Sequence, residues 1–276
     1  MIGIRQKNSD YPRNPVAASI YRAIRPTAET TLLSVKYRLR SEARPAHSGD
    51  RDYALLQTLA RGKRCVFDVG ANVGLTALVM AETMAADGRL VAFEASENGC
   101  CLIRDNAALN GLAGRIQVVN ALLAERSGYT LDFFGDAASG SASIIPGYLA
   151  HHRALRKATL ALDDFIAQTG SAPELIKIDV EGAELAVIAG LATTMHRLRP
   201  LLFVELHAWG DVTVPGTAAK LLAMLQPLDY GMIYLRSKTL VTDPEVMTGR
   251  GRCHVLLCPL ESPLLDELAT LNTDGL

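Results

Sequence analysis

The chain predicts an α/β domain built on an open, mainly parallel sheet with helices on both faces. Two observations carry this. Short apolar runs of strand length alternate with helix-patterned segments of ten or more residues, which calls for right-handed crossovers between parallel strands. One run, beginning at Cys65, breaks at glycines and continues directly as an apolar-periodic helix. Seven main strands are expected, the last one reversed, and the 276 residues at 49% hydrophobic suffice for one large buried core. The domain is placed at residues 51–276, with residues 1–50 as an N-terminal extension or lid.

The first fifty residues are basic and interrupted by Pro12, Pro15, Pro26 and Pro45. Val35, Tyr37 and Leu39 alternate with Lys36, Arg38 and Arg40, which fits a short amphipathic strand. A helix from Ala28 to Arg40 fits equally, and the arm is either a packing extension or a cover for the active site.

From residue 50 the pattern is regular. A helix over Arg51 to Ala60 stops at Gly62, and strand one runs from Arg64 to Asp68. After the glycine turn a helix covers Leu75 to Met84, closed by Asp87-Gly88. Strand two is Arg89 to Phe93, ending at Glu94. The next helix bears Leu102, Ile103 and Leu109 and ends at Asn110-Gly111. Strand three is Ile116 to Leu123. Tyr129, Leu131 and Phe133 then alternate with polar neighbours as an extra strand expected to pair with the end of strand three. Gly135 to Ile145, rich in Gly, Ala and Ser, reads as a surface loop.

The rhythm resumes with Asp163 or Asp164 capping a helix through Gln168. Strand four is Leu175 to Asp179, a helix spans Ala183 to Leu198, and strand five is Leu201 to Glu205. A helix over Thr217 to Leu225 follows. Tyr230 to Leu235 and His254 to Cys258 are expected to close the sheet as an antiparallel pair.

A net charge of -1 offers no global attraction to nucleic acid or to an anionic membrane. No stretch reaches the ~20 apolar residues of a membrane span, and no signal-peptide core is present. Five cysteines, with Cys100 and Cys101 adjacent, fit reduced thiols in a cytoplasmic protein.

A dinucleotide site would show Gly-x-Gly-x-x-Gly. Here the turn reads Asp68-x-Gly70-x-Asn72-x-Gly74. A carboxylate there repels a pyrophosphate and suits a ligand with an ammonium and a sulfonium but no phosphate, such as S-adenosylmethionine. Asp68 is expected to face its amino-acid end, and Gly70 to remove the side chain that would block it. Glu94, about twenty residues on, stands where an acid takes ribose hydroxyls. Asp68 and Asn72 as simple helix caps, with Glu94 as a solvated acid, is the bland alternative.

Val66 to Thr76 resembles the first motif of class I S-adenosylmethionine-dependent methyltransferases, a Rossmann-like fold. Ile176-Lys177-Ile178-Asp179-Val180-Glu181-Gly182-Ala183-Glu184 resembles the signature of the FkbM-type enzymes. Phe93-Glu94, Asn106 to Leu112, Thr159 to Phe165 and Phe203 to His207 add matches, and the resemblance spans Asp50 to His207. It departs at Ala95-Ser96, where the family tends to place a proline. The resemblance implies cofactor contacts from Asp68, Gly70, Asn72, Gly74, Thr76, Glu94, Ala95, Asn120, Ala121 and Asp179.

Methyl transfer is an in-line displacement that needs alignment of donor and acceptor and loss of the hydroxyl proton. His207, with an ordinary pKa near 6.5, is the leading general base. Asp179 and Glu181 would orient the acceptor, with Glu205 beside them. A metal-free site is favoured. A Mg²⁺ on Asp179 and Glu205, with His207 or Glu181, is the alternative and would lower the hydroxyl pKa directly.

Lys177, inside a buried-strand pattern, needs a partner such as Asp179 or Glu205. Cys253, His254 and Cys258 do not have zinc-site spacing. His151, His152, Arg153 and Arg156 read as a solvated helix face, and Trp209 as a pocket wall or a buried ring. O-methylation of a small molecule or sugar is the expected function, with S-adenosylhomocysteine as product. N-methylation, a NAD-linked dehydrogenase and a non-catalytic cofactor binder are the competing readings. The sequence leaves the oligomeric state open, and a homodimer fits.

Overall fold

The computed structural model describes residues 25–43, 52–136, 141–143, 154–273 and 276. The expected loop at Gly135 to Ile145 and the group at His151 to Arg153 lie largely outside these residues, as does Arg51. The elements run β1 (Thr27–Leu32), β2 (Val35–Arg40), α1 (Asp52–Ala60), β3 (Cys65–Val69), α2 (Leu75–Thr83), β4 (Arg89–Glu94), α3 (Glu97–Leu109) and β5 (Ile116–Asn120). Next come β6 (Leu122–Leu123), β7 (Thr130–Asp136), β8 (Ser141–Ser143), β9 (Leu155–Leu160), α4 (Leu162–Thr169), β10 (Leu175–Ile178), α5 (Glu184–Ala189) and α6 (Ala192–Leu198). The chain continues through β11 (Leu201–His207), α7 (Val214–Leu225), β12 (Tyr230–Tyr234), β13 (Thr239–Leu240) and β14 (Arg252–Pro259).

The main sheet has the order β13-β12-β14-β11-β10-β3-β4-β5. Five neighbouring strands from β5 to β11 are parallel, and β14 runs antiparallel between β11 and β12. The seven expected strands are therefore joined by an eighth, the two-residue edge strand β13. Apolar residues of α1, α2, α3 and the β1–β2 hairpin cover one face. Those of α4, α5, α6 and α7 cover the other. Edge-to-face contacts among Phe67, Phe93 and Phe165, at centroid distances of 4.9–5.9 Å, tie β3 and β4 to α4. They fix the strand ends that carry Asp68 and Glu94.

Several elements differ from expectation. The alternation at Val35–Arg40 forms a strand, not a helix, and pairs with β1. Its backbone is pinned to α3, where Arg38 and Arg40 donate N–H to the side chains of Asn110 and Asn106. Strand three ends at Asn120, because β6 leaves the main sheet to pair with β9. The extra strand β7 pairs with β9 and not with strand three, and β9 went unrecognised because its face carries polar residues. Arg156 thus sits on a strand and not on a helix face.

Asp163 lies inside α4 and caps a different helix, accepting from the backbone N–H groups of Thr193 and Thr194 at the start of α6. The helix expected over Ala183 to Leu198 is broken at Gly190, where a Cβ would lie 2.4 Å from the Ala124 carbonyl oxygen. α7 starts three residues early because Thr213 caps it and Pro215 occupies its first turn.

Candidate active site

A buried parallel sheet carries near-continuous apolar runs. This one breaks the rule at one end of β3, β10, β11 and β14. Alternation places Ile176 and Ile178 on the α4–α7 face, so Lys177 projects to the opposite face. Register sets Lys177 beside Asp68, Glu205 beside His254 and His207 beside Arg252. Six positions on the four adjacent strands β3, β10, β11 and β14 thus bring charge to one end of the sheet.

At the cofactor turn, Asp68 is 0% exposed. Its Oδ2 accepts from the Thr76 hydroxyl at 2.7 Å, and its Oδ1 lies 3.4 Å from Lys177 Nζ. Lys177 Nζ also reaches Asp179 Oδ2 and donates to the Gly70 carbonyl, each at 3.2 Å. Burial alone would lower the Lys177 pKa, but Asp179 and Asp68 outweigh it and hold the ammonium charged. The expectation that Asp68 faces the ligand is therefore corrected: it braces the turn from beneath. Gly70 is also required for a different reason. A Cβ there, at φ +72, would meet the Asp179 carbonyl oxygen at 1.8 Å, so the close approach is of backbone and not of ligand.

Glu94 accepts from the Asn72 N–H at 2.8 Å and the Ser96 N–H at 2.7 Å, one on each carboxylate oxygen. Burial raises its pKa to about 7 despite these two bonds. Each oxygen keeps a lone pair for an incoming hydroxyl. Asn72 holds a left-handed φ of 52, which aims its N–H at Glu94. Gly74, also left-handed, starts α2. The Asn120 amide donates to the Glu94 and Ala95 carbonyls, and Ala121 N–H donates to Glu94 as well. These two residues fasten the strand-two turn.

At the other end, the structure brings the four expected catalytic residues together around one imidazole. His207 Nε2 lies 3.8 Å from Asp179, 3.5 Å from Glu181 and 3.6 Å from Glu205. Its Nδ1 hydrogen-bonds the buried Glu184 at 2.8 Å. Glu181 reaches this point through a left-handed turn, with φ +50 followed by Gly182 at φ +101. Burial would lower the His207 pKa, but the Glu184 hydrogen bond and the charges of Asp179 and Glu181 raise it to about 9. The expectation of a base with pKa near 6.5 is corrected: with no ligand bound, this ring is already protonated at neutral pH. Glu205 is held ionised, its pKa brought down to about 2 against the effect of burial by His254, His207 and Arg252.

Four residues of this end carried no expected role. Glu184 closes the family signature, and its approach to His207 depends on how α5 meets β11. Asp52 lies 3.0 Å from His254 Nε2, which is itself 3.5 Å from Glu205 Oε2. Arg252 donates to Glu205 Oε1. The last three depend on strand register and helix docking, which no local motif encodes. Lys177 does meet Asp179 as expected, and Asp68 in addition, while Trp209 forms a β-bridge with Val212. Among the described residues no helix is long and apolar enough to cross a membrane.

The strand order, the glycine turn and the acid ending strand two define a Rossmann-like class I methyltransferase. The chain belongs to the FkbM methyltransferase family: the profile of the methyltransferase FkbM domain matches residues 68–232. This is a family of S-adenosylmethionine-dependent methyltransferases. No curated protein matches the chain. Among solved structures, it is similar to the methyltransferase FkbM of Methylobacillus flagellatus KT at 16% identity and TM-score 0.47, covering 72% of this chain and 44% of that one. The chain therefore spans less than half the length of that protein. An O-methyltransferase of Bacillus cereus in complex with SAH aligns at 16% identity and TM-score 0.45, over 77% of this chain and 82% of that one. The precorrin-6y C5,15-methyltransferase of Geobacter metallireducens GS-15 aligns at 14% identity and TM-score 0.45, over 78% and 91%.

Proposed function

We propose that the protein transfers a methyl group from S-adenosylmethionine to a hydroxyl of a small molecule or sugar. The convergence of Asp179, Glu181, Glu205 and His207 beside the Asp68–Glu94 turn carries this reading. Glu94 takes the ribose hydroxyls, and the backbone from Gly70 to Asn72 receives the methionine end. Ala95, Asn120 and Ala121 shape the adenine side.

The acceptor oxygen attacks the sulfonium methyl in line; the C–S bond breaks as the O–C bond forms, leaving S-adenosylhomocysteine and one proton. Glu181, half-buried in the cluster, takes that proton, while Asp179, Glu205 and His207 orient the acceptor oxygen. An anionic pocket stabilises neither an alkoxide nor a phosphate-bearing acceptor by itself, so the acceptor is a neutral polyol or alcohol. Residues 1–50 are read as an extension of the domain at 51–276, with the hairpin bonded to the C-terminal end of α3 at Asn106 and Asn110.

Methyl-labelled cofactor offered with matched panels of alcohols and of the corresponding amines tests this. Label on alcohols is expected; label on amines alone would establish N-methylation in its place. Cofactor affinity without transfer to either panel would mark a non-catalytic binder.

A further inference from the structure

We infer that the strand ends hold a divalent cation of the first transition row, ligated by His207 Nε2, Asp179 and Glu205, with Glu184 orienting the imidazole from behind. Three observations converge. His207 is nine-tenths buried, at 9% exposure, and its Nε2 points into the cluster. The three carboxylates face that nitrogen at 3.5–3.8 Å, beyond the reach of a hydrogen bond and with no one of them favoured.

Ligand atoms bound to one ion by bonds of about 2.2 Å, spread by about 105–120°, stand about 3.5–3.8 Å apart. The Nε2-to-oxygen distances have that spread, and one ligand atom from each of Asp179, Glu205 and His207 lies within 4.8 Å of the others. The third observation is the 2.8 Å bond between Nδ1 and Glu184. A ligating histidine characteristically gives its other N–H to a carboxylate, which fixes the tautomer and leaves Nε2 free to bind. Glu184 is held in turn, because its Oε1 accepts the Gly182 N–H at 2.8 Å.

The ligand set also bears on which ion. Two carboxylates alone would suit Mg²⁺, but an imidazole shifts preference towards Mn²⁺, Fe²⁺, Co²⁺ or Zn²⁺. Glu205 is steadied from its far side by Arg252 on Oε1 and by His254 and Asp52 near Oε2. The three ligands come from the ends of β10 and β11, with Glu181 Oε2 3.5 Å from His207 Nε2 as a further carboxylate. What the cation does rests on the proposed function: it would bind the acceptor hydroxyl and lower its pKa. Its binding does not rest on that reading.

The full-length protein, stripped with chelator and dialysed, is titrated with Mn²⁺ while free Mn²⁺ is followed by electron paramagnetic resonance. One Mn²⁺ per chain is expected, displaced by Zn²⁺ or Co²⁺ and only by a large excess of Mg²⁺. The bound ion should show nitrogen coupling from one imidazole. His207→Ala should remove that coupling and weaken binding at least about a hundredfold, and Glu184→Gln about 10–100-fold. Thermal unfolding of each variant guards against loss of the fold, and Asp179→Asn serves as a second ligand variant. No bound Mn²⁺ in the wild type would overturn the inference. So would His207→Ala binding unchanged, or a site lost with Asp52→Asn but not with His207→Ala. Hydroxyl methylation by a wild-type protein that binds no Mn²⁺ would overturn the cation and leave the proposed function standing. Mn²⁺ bound as described with no hydroxyl methylated would do the reverse.

Discussion

The two ends of the crevice are built on different principles. The cofactor end, around Asp68 and Glu94, satisfies its acids with local groups: a hydroxyl, backbone N–H donors and one ammonium. The acceptor end gathers Asp179, Glu181, Glu184 and Glu205 around a single imidazole. One end holds each acid by hydrogen bonds or an ion pair, and the other is a surplus of negative charge around one imidazole. Lys177 is the join, since it touches acids on both sides. Geometry made by local backbone is insensitive to distant changes; geometry made by charge and register is not.

Breaking the join should have the largest effect. Lys177→Met strands a fully buried Asp68, and removal of one partner of a buried pair costs about 3–5 kcal/mol. Thermal or denaturant unfolding should show that loss, and Lys177→Met combined with Asp68→Asn should recover a good part of it. A double variant no more stable than Lys177→Met would contradict the pairing. Gly70→Ala comes next. Its Cβ would overlap the Asp179 carbonyl at a left-handed φ, and a cost of several kcal/mol with loss of cofactor binding is expected, read by unfolding and calorimetry.

The cofactor end can be sharpened through pH. The folded pKa of Glu94 is raised to about 7, so the charged form that accepts two hydroxyl bonds is present above that pH and disappears below it. Affinity for S-adenosylhomocysteine should fall by up to about tenfold per pH unit below about 7. Glu94→Gln should be weaker at pH 8 and nearly flat across the same range. A wild-type affinity independent of pH between 5 and 8 would remove Glu94 from the ribose. The smallest effect belongs to Arg252→Ala. The arginine side chain is 65% exposed, so its ion pair with Glu205 should contribute no more than about 1 kcal/mol to unfolding stability.

The same contrast explains what the sequence could disclose. Asp68, Gly70, Glu94 and Lys177 to Glu184 lie in contiguous motifs at strand ends, where local pattern and local geometry coincide. The places of the main-sheet strands followed from periodicity, apart from the two-residue β13. Strand β9 carries no apolar alternation, since Leu155, Arg156 and Ala158 are exposed and Thr159 is its one buried residue, so it reads as loop or helix surface. His254 and Arg252 gained their places by antiparallel register against β11, which a one-residue slip would reverse. Asp52 came in through helix docking. The exposure of Asp68 and the protonation of His207 also lay beyond local pattern, because both depend on how many charges the fold brings around one point.

The most direct test of this division is the dissociation constant for S-adenosylhomocysteine measured by calorimetry on wild type, Glu94→Gln and His207→Ala at pH 8. Glu94→Gln should weaken binding about tenfold or more, while His207→Ala should stay within about twofold of wild type and lose methyl transfer. Equal weakening by both substitutions would contradict a crevice with separate cofactor and acceptor ends.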